Sequence, residues 1–306
     1  MSDELKEKLR GLSAFIGNTP LFPLKNIVRN AGISLYAKLE WQQFGGSVKA
    51  RSAFNIIKNA IEAGHLHGDK VLLDASSGNT AIAYASIGST LNIPVTICLP
   101  ANASEERKRI LKGLGAEIVF TSAFGSTDEA QERAQQLFEQ EPNTYFYADQ
   151  YNNESNWKAH YHYTAEEIWA ETNGKVTHFV TGLGTTGSFG GISKRLKELN
   201  PSIRTIALQP DSAMHILEGW KHLETAKKPG ILQEAAIDET IEINSYDALE
   251  AVKEVATTEG LLISPSSGAN LVGAIKVSEK LSAGKVVTLF PDNAEKYSEI
   301  LKSILE

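Results

Sequence analysis

A lysine at the head of a helical segment, just after a pair of glycines, can do amine chemistry. Phe44-Gly45-Gly46-Ser47-Val48-Lys49 has this form and leads into ARSAFNIIKNAIEAG, which reads as a helix. Two glycines let the backbone approach a ligand closely. The positive end of a helix dipole lowers the pKa of an amine beside it, as Schiff-base chemistry requires. Taken alone, a lysine in a turn is more simply surface decoration.

Three other segments share the strand-to-helix setting. Ser76-Ser77-Gly78-Asn79-Thr80 follows the apolar run VLLDA (71–75). Its hydroxyls and free amides can cradle an anion, or simply cap a helix. Thr181-Gly182-Leu183-Gly184-Thr185-Thr186-Gly187-Ser188 follows HFVTGL and contains G-x-G-x-x-G at Gly182, Gly184 and Gly187. The dinucleotide reading of that fingerprint expects an acid ending the next strand. That strand, TIALQ, ends in Gln209, with Asp211 beyond a proline. A phosphate monoester held by Gly184 to Ser188 accounts for the same residues without a ribose contact. Ser264-Pro265-Ser266-Ser267-Gly268 repeats the strand, turn and helix order.

These loops need a scaffold, and the chain supplies βα alternation. Apolar, β-branched runs predict strands at 71–75, 94–99, 116–121, 178–183, 205–209, 260–265 and 286–290. Several are near-continuously apolar, as parallel strands covered on both faces are. Segments of helical period lie between them, for example 104–114 and 246–258. The pattern predicts an α/β protein with doubly wound open sheets, in which ligands bind at the carboxyl ends of the strands. The polar segment Asp149–Trp157 is the candidate domain boundary.

Composition narrows the function classes. The 306 residues allow about two domains. A net charge of −7 argues against a nucleic-acid partner, and no apolar run reaches membrane-spanning length. Neither is there the apolar core of a signal peptide near the start, so a cytoplasmic protein is expected. Cys98 is the single cysteine and reads as a core residue. The His65/His67 and His160/His162 pairs have no third ligand nearby, so no metal is expected.

Each motif is weak, but the order of lysine, hydroxyl-Asn loop, glycine loop and late serine is specific. With Ile16-Gly17-Asn18-Thr19-Pro20-Leu21, Tyr36-Ala37-Lys38-Leu39-Glu40, Gln150-Tyr151, Asn156-Trp157, Glu167-Ile168-Trp169 and Pro291-Asp292-Asn293, it resembles the cysteine synthase branch of the fold-type II pyridoxal 5'-phosphate (PLP) enzymes, the tryptophan synthase β family. Glu218-Gly219-Trp220-Lys221-His222 with Pro229-Gly230-Ile231 is similar to the cysteine synthase B group. The resemblance covers nearly the whole chain. It implies two doubly wound open-sheet domains with the cofactor in the cleft between them: a smaller one at about 44–150, and a larger one from 1–43 plus 151–306.

The resemblance also implies roles. Lys49 would carry PLP as a Schiff base and move the proton at the substrate Cα. Asn79 would hydrogen-bond the cofactor's 3′-oxygen, and Gly184, Thr185, Thr186, Gly187 and Ser188 would hold its phosphate. Ser266 would face the ring nitrogen; a serine there does not force that nitrogen to be protonated as an aspartate would. Ser76, Ser77, Gly78, Thr80 and Gln150 would bind the substrate. Lys221, where related chains often have arginine, would meet the phosphate of a phosphoserine substrate. The implied reaction is β-replacement on O-acetyl- or O-phospho-L-serine through an aminoacrylate, with a sulfur donor giving L-cysteine in a homodimer. Cystathionine or 2,3-diaminopropionate formation is the nearest alternative, an NAD-dependent dehydrogenase a distant one, and a non-catalytic binding protein a third. The chain departs from the family pattern at Ala50 (aspartate in most members), at Thr186 and Ser188 in the phosphate loop, and at Ala165-Glu166.

Overall fold

The computed structural model describes residues 3–28, 30–76, 78–298 and 302. In chain order the elements are α1 (Asp3–Ser13), β1 (Leu21–Pro23), β2 (Ile33–Leu39), α2 (Lys49–Glu62), β3 (Val71–Ala75), α3 (Asn79–Leu91), β4 (Val95–Pro100), α4 (Glu105–Gly113), β5 (Glu117–Thr121), α5 (Ser126–Gln140), β6 (Tyr145–Tyr147), α6 (Glu154–Ala159), α7 (Ala165–Glu171), β7 (His178–Gly182), α8 (Gly187–Leu199), β8 (Arg204–Pro210), β9 (Glu239–Ile243), α9 (Ser245–Thr258), α10 (Pro265–Glu279) and β10 (Gly284–Phe290). A π-helical turn, His160–Thr164, joins α6 to α7.

The chain forms two compact units, one of Met1–Gly17 with Gln43–Asn156, the other of Asn18–Gln42 with Trp157–Glu306. The first unit holds a parallel sheet in the order β5-β4-β3-β6. Strand alternation sends its side chains to two cores. Leu72, Val95, Ile97 and Leu99 pack with residues of α1, α2 and α3, while Leu73, Ala75 and Cys98 pack with Ala130 and Ala134 of α5. Leu9 and Leu12 of α1 are part of the first of these cores. The N-terminal helix therefore groups with this unit, whereas the sequence reading put residues 1–43 with the larger domain.

The second unit has six strands in the order β1-β2-β10-β7-β8-β9. β1 and β2 pair antiparallel, and every other pair is parallel. Val180, Ile206 and Leu208 pack with residues of α9 and α10. The neighbouring Phe179 points the other way and stacks on Phe189 of α8, ring centroids 6.4 Å apart. Each sheet is thus covered on both faces, as the apolar strands predict.

One expected strand is absent. In 260–265 only Ile263 makes an isolated bridge, to Asn293. Gly260 turns the chain at φ +70°, and Pro265, lacking an N–H, takes the first helical position of α10. Conversely, β1, β2, β6 and β9 were not expected. β6 has three residues and β9 is half exposed, so neither shows a buried-strand pattern.

A buried ion cluster ties part of the second unit together. The fully buried Lys38 ammonium lies 2.9 Å from Glu167 and 2.7 Å from Glu171, and donates to the Thr19 carbonyl at 2.6 Å. Glu167 also accepts from the Asn18 N–H, and the Thr19 hydroxyl donates to buried Glu40 at 2.7 Å. Among the described residues no helix is long and apolar enough to cross a membrane.

Candidate active site

In the first unit the candidates gather where strand order reverses, at the carboxyl ends of β3 and β6. The Ser76 hydroxyl accepts from the N–H groups of Gly78 (3.2 Å) and Ala81 (3.3 Å), closing the start of α3. Both its acceptor positions are then used and its own proton remains to give, which suits a carboxylate oxygen. Thr80 donates to the Gln150 amide oxygen at 2.8 Å, and the Gln150 amide donates to the Ala75 carbonyl at 2.9 Å. Asn156 holds the Gln150 carbonyl at 2.7 Å. The structure thus brings Ser76, Thr80 and Gln150 together, with Gly78 and Asn79 at the same helix start. Ser77 lies outside the described residues.

Lys49 is the first residue of α2, half-buried, with its N–H directed to the Ser47 hydroxyl at 3.3 Å. Gly45 and Gly46 precede it at φ +82° and +62°, a conformation that glycine adopts at little cost. Ala50 is fully buried, and its methyl would sit 3.5 Å from a Cβ placed on Gly45. An aspartate there would put a charge into that packed turn.

A residue that sequence reasoning passed over is Asp74, fully buried at the end of β3. Its carboxylate accepts from the Ala75 N–H at 2.8 Å and the Gln150 N–H at 3.4 Å. Burial raises its pKa to about 7, against the pull of those N–H groups and the nearby Tyr84 hydroxyl, with Asp149 adding to the rise. The available signal was an acid inside an otherwise apolar parallel strand.

In the second unit the candidates lie at the carboxyl ends of the neighbouring strands β7 and β10. Asn270 of α10 bridges these ends, accepting from the Gly182 N–H at 2.7 Å and donating to the Leu289 carbonyl at 2.8 Å. The glycine loop leaves β7 here. A Cβ on Gly184 would stand 1.9 Å from the Gly219 carbonyl oxygen, and one on Gly182 2.1 Å from the Trp220 ring. The loop and the segment carrying Lys221 are therefore packed backbone to backbone. The Lys221 N–H also donates to the Leu183 carbonyl at 2.7 Å.

Thr186 ends the loop as the N-cap of α8, at φ +69°. A β-branched residue is strained in this region, and its buried hydroxyl has no hydrogen-bond partner in the structure. A buried hydroxyl without a partner, at the start of a helix, is what an incoming phosphate oxygen would satisfy. Thr185 is buried beside it, and Gly187 and Ser188 open the helix.

Ser266 lies in the first turn of α10 within a hydroxyl cluster. Ser264 is 3.0 Å from both Ser266 and Ser267, and Ser266 is 3.4 Å from the Asp292 carboxylate. Asp292 in turn accepts from the Tyr297 hydroxyl at 2.6 Å.

The remaining candidates go elsewhere. His65 and His67 are exposed in a turn. His160 is buried 3.0 Å from the Thr164 hydroxyl, while His162 is exposed. No group of three metal-ligating side chains occurs among the described residues. Asp211, which a dinucleotide site would need, accepts from Asn244 at 2.7 Å. Cys98 is buried, and burial pushes its thiol up to about 12.

Comparison with known proteins gives a consistent result. Residues 12–292 match the family described as pyridoxal-phosphate dependent enzyme. The chain is 42% identical to the cysteine synthase of Aquifex aeolicus over 92% of its length and 88% of that protein's. It is 34% identical to cysteine synthase B of Salmonella typhimurium, over 94% and 93% of the two chains. Among solved structures, the cysteine synthase of Entamoeba histolytica superposes with a TM-score of 0.89 at 31% identity, over 96% of this chain and 94% of that one. With relatives at this identity over nearly its full length, the chain belongs to the pyridoxal-phosphate dependent enzyme family, in its cysteine synthase branch.

Proposed function

We propose that the protein is a cysteine synthase, replacing the β-substituent of an activated L-serine (O-acetyl- or O-phospho-L-serine) with a sulfur nucleophile to give L-cysteine. PLP, when bound, supplies the electron sink that makes the substrate Cα–H acidic and allows the β-substituent to leave. The residues present fit it. Gly184 to Ser188 offer helix-start amides and the partnerless Thr186 hydroxyl to its phosphate, and this loop is the observation that carries the reading. Lys49 would hold the cofactor covalently, and its amine would then take the proton from Cα and return it. Asn79 would bind the cofactor's 3′-oxygen and Ser266 its ring nitrogen.

The amino-acid carboxylate would rest on Ser76, Ser77, Gly78, Thr80 and Gln150. The Gln150 amide oxygen accepts from Thr80 and one amide hydrogen goes to the Ala75 carbonyl, so the second amide hydrogen is the donor for the substrate. Lys221, fixed on the glycine loop through Leu183, is the cation for a phosphorylated leaving group. Cytoplasmic location and a homodimer complete the reading, the latter measured by size-exclusion chromatography with light scattering.

The test is borohydride reduction of the PLP-loaded protein followed by peptide mapping, together with assay of cysteine formation from acetylserine and from phosphoserine, each with sulfide. The label is expected on Lys49. A label on another lysine, or no cysteine from either activated serine, overturns the reading.

A further inference from the structure

Strands β3 and β6 pair in parallel. The Val71 N–H donates to the Thr144 carbonyl and the Ala148 N–H to the Leu73 carbonyl, both at 2.9 Å. In a parallel ladder the next rung would send the Ala75 N–H to the Ala148 carbonyl and the Gln150 N–H to the Ala75 carbonyl. Instead both N–H groups turn to the Asp74 carboxylate, Ala75 to one oxygen at 2.8 Å and Gln150 to the other at 3.4 Å. Side chains take the two carbonyls so released. The Gln150 amide donates to that of Ala75 at 2.9 Å, and the Asn153 amide to that of Ala148 at 2.8 Å. Asp149, just before Gln150, stands at φ +44°, a left-handed turn outside the strand region. The Asn152 amide holds its carboxylate, 2.9 Å from each oxygen.

We infer that Asp74 and Asp149 are positioning residues for the substrate: they end the β3/β6 ladder one rung early and so free the Ala75 carbonyl to hold the Gln150 side chain. The inference rests on the proposed function and deepens its substrate site. Side chains of a strand stand roughly perpendicular to its sheet. With the rung closed, the Gln150 backbone would take the Ala75 carbonyl, and the side chain would leave the hydrogen-bonding plane. With the rung open, the side chain is fixed between Ala75 and Thr80, and its second amide hydrogen is left for the substrate carboxylate. An ionised carboxylate suits this task, because it offers two acceptor oxygens and carries no proton. Asp74 is fully buried, and it is ionised above about pH 7.

The test measures KM and kcat of the PLP-loaded enzyme above the Asp74 pKa of about 7, with sulfide and whichever activated serine wild type converts. Asp74→Asn keeps the volume but accepts at only one oxygen, so one N–H returns to the ladder. Asp149→Ala leaves Asp74 in place and disfavours the left-handed turn. Each is expected to raise KM about tenfold with kcat nearly unchanged, since the carboxylate contact is the same in the ground and transition states. In a Gln150→Ala background the same substitutions are expected to change KM by less than about twofold, because no side chain is left to position. Unchanged KM in both single variants, or a rise of equal size in the Gln150→Ala background, overturns the inference. Should Asp74→Asn fail to fold, Asp149→Ala supplies both readings by itself. A wild type that makes no cysteine, or that does not trap PLP on Lys49 under borohydride, overturns the functional reading instead, so the two failures are distinguishable.

Discussion

Lys38 and Glu167, 129 positions apart in the chain, meet at 2.9 Å with the lysine side chain wholly buried. Glu171 stands on the other side of the same ammonium. Lys38→Met would remove the buried ammonium that these two carboxylates share. Breaking a buried pair on one side costs about 3–5 kcal/mol. The expected outcome in chemical denaturation is a loss of that size near neutral pH. A loss under about 1 kcal/mol would assign the cluster the small energy of a surface pair.

Thr186 carries a strained backbone and a buried hydroxyl without a partner. Thr186→Gly removes both, at the cost of some added freedom in the unfolded chain. The cofactor-free variant is expected to be more stable than wild type by about 1–2 kcal/mol. If the hydroxyl binds phosphate, PLP affinity falls about tenfold or more in the same variant, one charge-assisted hydrogen bond being lost. Thermal melts of the cofactor-free proteins and PLP titrations give the two numbers. A variant no more stable than wild type, with affinity unchanged, would mean that the hydroxyl has neither cost nor use.

Asp74 links stability to pH. Its folded pKa of about 7 lies above the unfolded value of about 3.9. Between the two the folded protein binds more protons than the unfolded chain, so this group makes stability fall as pH rises through that window. Asp74→Asn removes the dependence. Its stability relative to wild type is therefore expected to climb from about pH 4 to about pH 7 and to level off beyond. Denaturation midpoints of both proteins across this range measure it, and a constant difference would place the Asp74 pKa in the ordinary range.

Lys221 bears on substrate choice. Lysine offers a point charge without the planar fork of arginine, so it meets a phosphate less tightly. Lys221→Ala is expected to lower kcat/KM for phosphoserine by about one to two decades, with little change for acetylserine. Equal effects on the two substrates, or none, would return Lys221 to a structural part in the segment packed on the glycine loop.

The sequence by itself was enough for the α/β class, the apolar strands and the helix starts. Those features are local: side-chain period, Ser104 as a cap for α4 and Pro265 at the first position of α10. The run 260–265 misled because apolar content alone cannot tell a strand from an approach to a helix. The order of the motifs likewise pointed to the family without any contact being known. What the motifs do was decided by tertiary structure. Asn18, Lys38 and Glu167 stood in three resembling segments, and folding joins them in one buried ion cluster. Gly184 looked like a phosphate-loop glycine, yet the space above it is filled by the Gly219 carbonyl, a neighbour 35 positions away. Asp74 and Asp292 acquire their properties from burial and from which N–H and hydroxyl groups surround them. Those are relations between distant segments, and side-chain period along one segment carries no record of them.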